Sequence, residues 1–288
     1  MGGNRKNHLK EVKKMSNEYF HINDDKYAYR IDGRGEVLVL FHGFTSAQTT
    51  WDNIYDELIT EYQVLTIDLP GHGETMVQAN KTMEEFSDDF NALLDSLKIT
   101  KIHLLGYSMG GRTALSFANY YPEKINSLIL ESASPGIADP FERQRRKEAD
   151  KALAEKILIE GVEAFVDYWE DLPLFDTQKN LPETVQSKIR EERLYQTKWG
   201  LSMALVFMGT GTQPSWWDSL KTIDYPLTLI VGEYDPKFIE INEQINQLYK
   251  DAKLYTIKEA GHCVHLEKEA EFKQIVRDHI KLSHEKNT

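Results

Sequence analysis

Four short, nearly continuous apolar runs constrain this chain more than anything else in it: VLVLF from Val37, IHLL from Ile102, SLIL from Ser127 and LTLIV from Leu227. A strand that faces water on one side alternates apolar and polar residues; these runs do not, so each reads as a strand buried on both faces. Helical patterns lie between them, at Trp51 to Ile59, Met83 to Leu97 and Gly110 to Tyr121. EYFHI and KYAYRI, separated by Asn23, Asp24 and Asp25, read as a leading hairpin, and QVLTI from Gln63 as a further strand. After LTLIV come a helix near Ile239 to Tyr249, the strand KLYTI, the loop KEAGHCVH and a last helix from Glu267 to about Leu282. Repeated strand and helix units predict an α/β fold, a mostly parallel central sheet with helices on both faces.

Between Gly136 and the strand at Leu227 the pattern changes. Residues 137–217 are rich in Lys, Arg, Glu, Trp and Tyr, show helical periodicity and contain no buried strand, which predicts an inserted helical cap. The sheet domain is then discontinuous, formed by residues 15–136 and 218–288. Residues 1–14 add no apolar periodicity. Lys10, Glu11 and Val12 are encodable by codons containing a bacterial ribosome-binding sequence, so Met1 to Lys14 read either as leader sequence ahead of a start at Met15 or as a basic tail.

Composition narrows the function classes. A total of 34 Lys and Arg against 46 Asp and Glu gives a formal charge of −12, which opposes binding to nucleic acid or anionic lipid. The apolar runs are strand-sized and support no stable membrane insertion. The single cysteine, Cys263, forms neither an internal disulfide nor a Cys-rich metal site. A cytoplasmic monomer is the expectation. No cofactor is expected either, since no cluster has metal-ligand spacing and no G-x-G-x-x-G follows a strand.

The sharpest chemical signal is GYSMG, Gly106 to Gly110, between a buried strand and a helix. In that context a tight turn presents Ser108 at a helix N-terminus, and the Met109 N–H faces developing negative charge. A serine hydroxyl needs an imidazole to take its proton and a carboxylate to orient the imidazole. Asp235 follows the strand LTLIVG and His262 follows KLYTI, so each lies where sites in parallel sheets collect. Glu131, also after a strand, is the rival acid and His265 the rival base; both read better as loop or supporting residues. The second oxyanion donor is placed at the Phe44 N–H, in the loop after VLVLF. His42 reads as a hydrogen-bonded structural histidine.

With these residues in order, the chain resembles the α/β-hydrolase superfamily from Glu18 to Leu282. GYSMGGR, ESASPG, RQRRKEAD, YWEDLPLF, ERLYQ, MGTGTQPSWW and GEYDPKF together resemble the 2-succinyl-6-hydroxy-2,4-cyclohexadiene-1-carboxylate synthase family. The resemblance implies a cofactor-free lyase of menaquinone biosynthesis. It would eliminate pyruvate from 2-succinyl-5-enolpyruvyl-6-hydroxy-3-cyclohexene-1-carboxylate, a small anionic substrate with three carboxylates. It further implies that Arg146 and Arg193 bind carboxylates, that Trp169 lines the cap pocket, and that Tyr107 and Arg112 flank the serine. Arg143, Arg146, Lys147 and Asp150 would share one helix face, leaving Arg145 to solvent. Glu170 and Asp171 stand where the family often carries Tyr and Gln, which adds negative charge beside Trp169. A carboxylesterase or C–C bond hydrolase would use the same triad with an acyl-serine, and a non-catalytic binding protein of this fold is a third reading.

Overall fold

The structure, a computed structural model, describes residues 17–249 and 251–286; the reading of residues 1–14 lies outside them. Eight strands form one sheet: β1 (Glu18–Ile22), β2 (Asp25–Gly33), β3 (Val37–Phe41), β4 (Gln63–Ile67), β5 (Ile102–Tyr107), β6 (Ile125–Glu131), β7 (Leu227–Gly232) and β8 (Lys253–Ile257). Their order is β1-β2-β4-β3-β5-β6-β7-β8. β2 runs antiparallel to β1 and β4, and every other pairing is parallel. The helices are α1 (Asp52–Leu58), α2 (Met83–Ser96), α3 (Met109–Tyr120), α4 (Pro140–Glu160), α5 (Val162–Glu170), α6 (Glu183–Tyr195), α7 (Lys198–Met208), α8 (Pro236–Leu248), α9 (Val264–Glu267) and α10 (Glu269–Lys286).

The unalternating strands have a direct explanation in the packing. Val39 and Phe41 of β3 join Leu104, Leu128, Leu130 and Leu229 in a core sealed by Phe86 and Phe90 of α2 and Leu115 and Phe117 of α3. The intervening Leu38 and Leu40 join Leu105, Ile129 and Ile230 in a second core, sealed by Ile54 and Leu58 of α1 and Phe272 and Val276 of α10. Side chains alternate between faces along a strand, and both faces are dry. Each fully buried Leu or Phe contributes about 1.5–3 kcal/mol.

Local signals set the helix ends. Thr82 and Glu85 form a reciprocal capping box at the start of α2. α8 starts at Pro236, three residues before the sequence pattern places it, because proline suits the first helical position and the Asp235 carbonyl accepts from Phe238 N–H and Ile239 N–H. The final helical pattern is split into α9 and α10 at Lys268. Between β6 and β7, helices α4, α5 and α7 build a small core of their own from Ala154, Ile157, Phe165, Val166, Leu201 and Leu205, and Phe44 and Trp169 pack against it. No helix of the described residues is long and apolar enough to cross a membrane.

Candidate active site

The turn from β5 into α3 leaves no room for side chains on its glycines. A Cβ on Gly106 would lie 2.3 Å from the Gly110 carbonyl oxygen, and one on Gly110 would lie 2.2 Å from the Phe41 oxygen. Ser108, between them, has φ +51°, a conformation that non-glycine residues rarely adopt and that stores strain. Its backbone is nonetheless anchored: Ser108 N–H donates to Glu131 O (2.8 Å), and Ser108 O accepts from Arg112 N–H (3.0 Å). The strained turn lifts the hydroxyl off the sheet toward the loops after β7 and β8.

Those loops deliver the expected partners. His262 Nε2 lies 3.0 Å from Ser108 Oγ, and His262 Nδ1 lies 2.6 Å from Asp235 Oδ2. With Nδ1–H donating to the carboxylate, Nε2 is free to accept the serine proton. Phe238, Tyr107 and Phe175 surround the imidazole, with ring centroids 4.7, 5.4 and 6.2 Å away. The His262 loop has an anchor that the sequence reading missed. Glu267 accepts from Gly261 N–H (2.7 Å), Cys263 N–H (3.4 Å) and the Thr177 hydroxyl (3.0 Å), clamping both sides of His262. Turning that carboxylate back onto the loop accompanies the break between α9 and α10.

The rivals Glu131 and His265 pair with each other. The Glu131 carboxylate accepts from His265 N–H (2.9 Å) and lies 2.9 Å from its Nδ1, and both residues are fully buried. Burial opposes a charged imidazole, but the Cys263 sulfur and Glu131 outweigh it and raise the His265 pKa. Burial also pushes the Cys263 thiol up, with the neighbouring His265 opposing the shift.

Phe44 and Met109, the expected oxyanion donors, both border the cavity above Ser108. Met109 opens α3, so its N–H has no carbonyl within the helix to bind. The Phe44 loop is held by two neutral histidines. His42 Nδ1–H donates to Gly43 O (2.7 Å) while Nε2 accepts from Leu69 N–H (2.9 Å). His72 Nε2 accepts from Thr45 N–H (3.2 Å), fixing Thr45 at φ +69°. Burial, then the neighbouring His72, holds His42 well below the usual imidazole range; burial lowers His72 to about 4. An unfolded histidine takes its proton near pH 6.5, a folded His72 near 4, so His72 removes stability as pH falls across that window. The slope reaches about 1.4 kcal/mol per pH unit and flattens below it. His72→Gln keeps an acceptor for Thr45 without titrating. The stability gap between wild type and variant should therefore shift between pH 6.5 and 4.5 in denaturant titrations; parallel curves would contradict the assignment.

The cavity over Ser108 has a volume of about 470 Å³, sufficient for a small multi-carboxylate molecule. Arg112, Arg146 and Lys237 line it together with Trp169 and Tyr107, and among the described residues no Asp or Glu does. Tyr107 wedges against Gly43, where a Cβ would lie 2.6 Å from its ring. Arg112 donates to Met208 O (2.9 Å) and Gln213 Oε1 (3.3 Å), and burial with the Arg146 charge lowers its guanidinium to about 9. Arg146 Nε donates to Asp150 Oδ1 (2.7 Å). Lys237 was not singled out by sequence reasoning, although it stands two residues after Asp235.

Arg193 is the expected site residue that the structure does not bring to this cavity. It is buried one layer away, donating to Glu170 Oε1 (3.2 Å) and Gln178 Oε1 (2.9 Å), with its guanidinium 4.9 Å from the Phe175 ring. Glu170 is the physical reason, since it also accepts from Arg190 (2.6 Å) and draws both arginines to the outer side of α5. Trp169, about 100° around the helix from Glu170, faces the cavity instead. The extra negative charge at Glu170 is therefore compensated by arginines and turned away from the serine.

The alpha/beta hydrolase fold family matches residues 36–269. A Bacillus subtilis (strain 168) protein, provisionally named a 2-succinyl-6-hydroxy-2,4-cyclohexadiene-1-carboxylate synthase, is 41% identical over 88% of this chain and 94% of its own length. An Enterobacter sp. (strain 638) protein named as that synthase is 32% identical over 81% of this chain and 87% of its own. The chain belongs to this synthase family of α/β hydrolases. The solved structure of MenH from S. aureus superposes with a TM-score of 0.85 at 37% identity, covering 90% of this chain and 98% of the other. Likeness over nearly the whole of each synthase relative extends the resemblance well beyond the GYSMG turn, which the wider superfamily shares.

Proposed function

We propose that this chain eliminates pyruvate from 2-succinyl-5-enolpyruvyl-6-hydroxy-3-cyclohexene-1-carboxylate, giving 2-succinyl-6-hydroxy-2,4-cyclohexadiene-1-carboxylate in menaquinone biosynthesis. One observation carries the reading: on a protein of net charge −12, the described residues line the cavity over Ser108 with three cations and no carboxylate. Such a cavity suits a substrate with several carboxylates, and planar guanidinium groups suit carboxylates best. The helices between β6 and β7 act as its cap, and the same reading places the enzyme in the cytoplasm.

In this mechanism His262 takes the Ser108 proton while Asp235 stabilises the resulting imidazolium. The serine oxygen then removes the proton from the ring carbon beside the succinyl ketone. Charge moves to the ketone oxygen, where the Phe44 and Met109 N–H groups receive it. Collapse of that enolate forms a double bond from the succinyl-bearing carbon into the ring, shifts the existing ring double bond by one position and breaks the C–O bond to the enolpyruvyl group; the released pyruvate enolate is protonated on carbon as the His262 imidazolium gives up its proton. No water is consumed and no acyl-serine forms. Mass spectrometry of substrate-treated protein tests this: unmodified Ser108 is expected, and a trapped acyl-Ser108 would favour the esterase reading.

Arg146 and Arg145 supply an internal control. Arg146 borders the cavity, whereas the Arg145 side chain is 71% exposed and pairs with Glu142. Arg146→Ala should lower kcat/KM roughly 10- to 100-fold, the loss of one charge-assisted contact of about 1.5–3 kcal/mol, with little effect on a neutral ester. Arg145→Ala should change little. Equal losses would mean that a diffuse basic face attracts the substrate.

A further inference from the structure

We propose that Lys237 is a specificity-determining residue of this site, its ammonium holding one substrate carboxylate together with Arg146; this rests on the pyruvate-eliminating reading above. Lys237 is the second residue of α8, two positions after Asp235, whose backbone carbonyl accepts from Phe238 N–H (3.1 Å) and Ile239 N–H (3.0 Å) in the first turn. Its side chain borders the same cavity as Ser108 and Arg146. A cation in the first turn of a helix opposes the helix dipole, so its own helix does not account for a lysine there.

Among the described residues Lys237 has no ion pair, its ammonium lying 5.5 Å from the Phe238 ring centroid, whereas Arg112 and Arg146 are partly satisfied by Met208, Gln213 and Asp150. The nearby carboxylates are committed elsewhere: Asp235 to His262 Nδ1, and Asp150 to Arg146 Nε. Burial and the repulsion of Arg146 hold the Lys237 ammonium below its usual range. An anion between the two cations relieves both penalties. Two residues that line the cavity also carry buried polar atoms without a protein partner. Ser132 is fully buried at φ +48° and its Oγ has no hydrogen-bond partner, and the Trp169 indole Nε1 is likewise unpartnered. Both residues line the cavity, and α8 leans on the Ser132 segment through Asn242, which donates to Ala133 O (3.2 Å). A buried hydroxyl and a buried indole N–H without protein partners call for polar atoms from a ligand or its water.

The test uses the full chain and the enolpyruvyl cyclohexene precursor, with pyruvate release as the readout. Lys237→Met should raise KM about 10- to 100-fold while leaving kcat within a few-fold, and Lys237→Arg should recover most of the loss. Among the three monomethyl esters of the precursor, one should be handled alike by wild type and Lys237→Met, because its partner carboxylate is already neutral. An unchanged KM, or the same penalty on all three esters, overturns the inference. Calorimetric titration of the precursor into Ser108→Ala and into Ser108→Ala with Lys237→Met separates this proposal from the reaction itself. Wild type that binds but releases no pyruvate would sink the reaction while the affinity difference still decides Lys237; no binding to wild type or to Ser108→Ala would sink both.

Discussion

Ser108→Ala is expected to lower kcat by about 10²- to 10⁴-fold, the range for removing a positioned proton-transfer group. KM should barely move, because Arg112, Arg146 and Lys237 line the cavity independently of the hydroxyl. The melting temperature should also stay close to that of wild type: alanine keeps the +51° backbone conformation, and the turn is fixed by Gly106, Gly110 and the Ser108 backbone bonds. Stopped-flow or coupled detection of pyruvate reads the effect. Retained turnover would remove Ser108 from the mechanism; a collapse in affinity of the same size would make it a binding group.

The second large effect concerns stability. Glu131→Gln removes the carboxylate that pairs with the His265 ring in a fully buried site, which costs about 3–5 kcal/mol, or roughly 5–15 °C in melting temperature for a protein of this size. The pH dependence has a definite sign. The His265 pKa is raised in the folded state, so its contribution is complete below the unfolded value near 6.5 and is lost as pH rises through the folded value. The variant should consequently lose more stability at pH 6 than at a pH high enough to neutralise His265. Equal losses at every pH would mean that shape and hydrogen bonding, not charge, hold the pair.

The fold was legible because both signals that specify it are local. Unalternating runs such as VLVLF mark strands covered on both faces, and the helical periods between them mark the covers. The triad was legible because Ser108, Asp235 and His262 each follow a strand end, where the parallel sheet itself brings them together. Arg193 was not, since the residue that claims it, Glu170, lies 23 positions away on another helix. Glu131 and His265, separated by 134 positions, read as rivals of the triad until the sheet placed one against the other. Glu267 escaped notice for a different reason: a carboxylate in a helical pattern reads as solvated surface, and only the folded loop shows it bound to the backbone on both sides of His262. Lys237 carries no periodic signal, and its meaning comes from the cavity it faces.

The central claim is that the Ser108 site removes a carbon-bound proton and expels pyruvate. Its most direct measurement supplies the purified protein with 2-succinyl-5-enolpyruvyl-6-hydroxy-3-cyclohexene-1-carboxylate and, in parallel, with a simple aryl ester, following pyruvate and phenol. Pyruvate release in step with formation of the conjugated diene, abolished by Ser108→Ala and accompanied by little phenol, is the expected result; rapid phenol release with no pyruvate would contradict it.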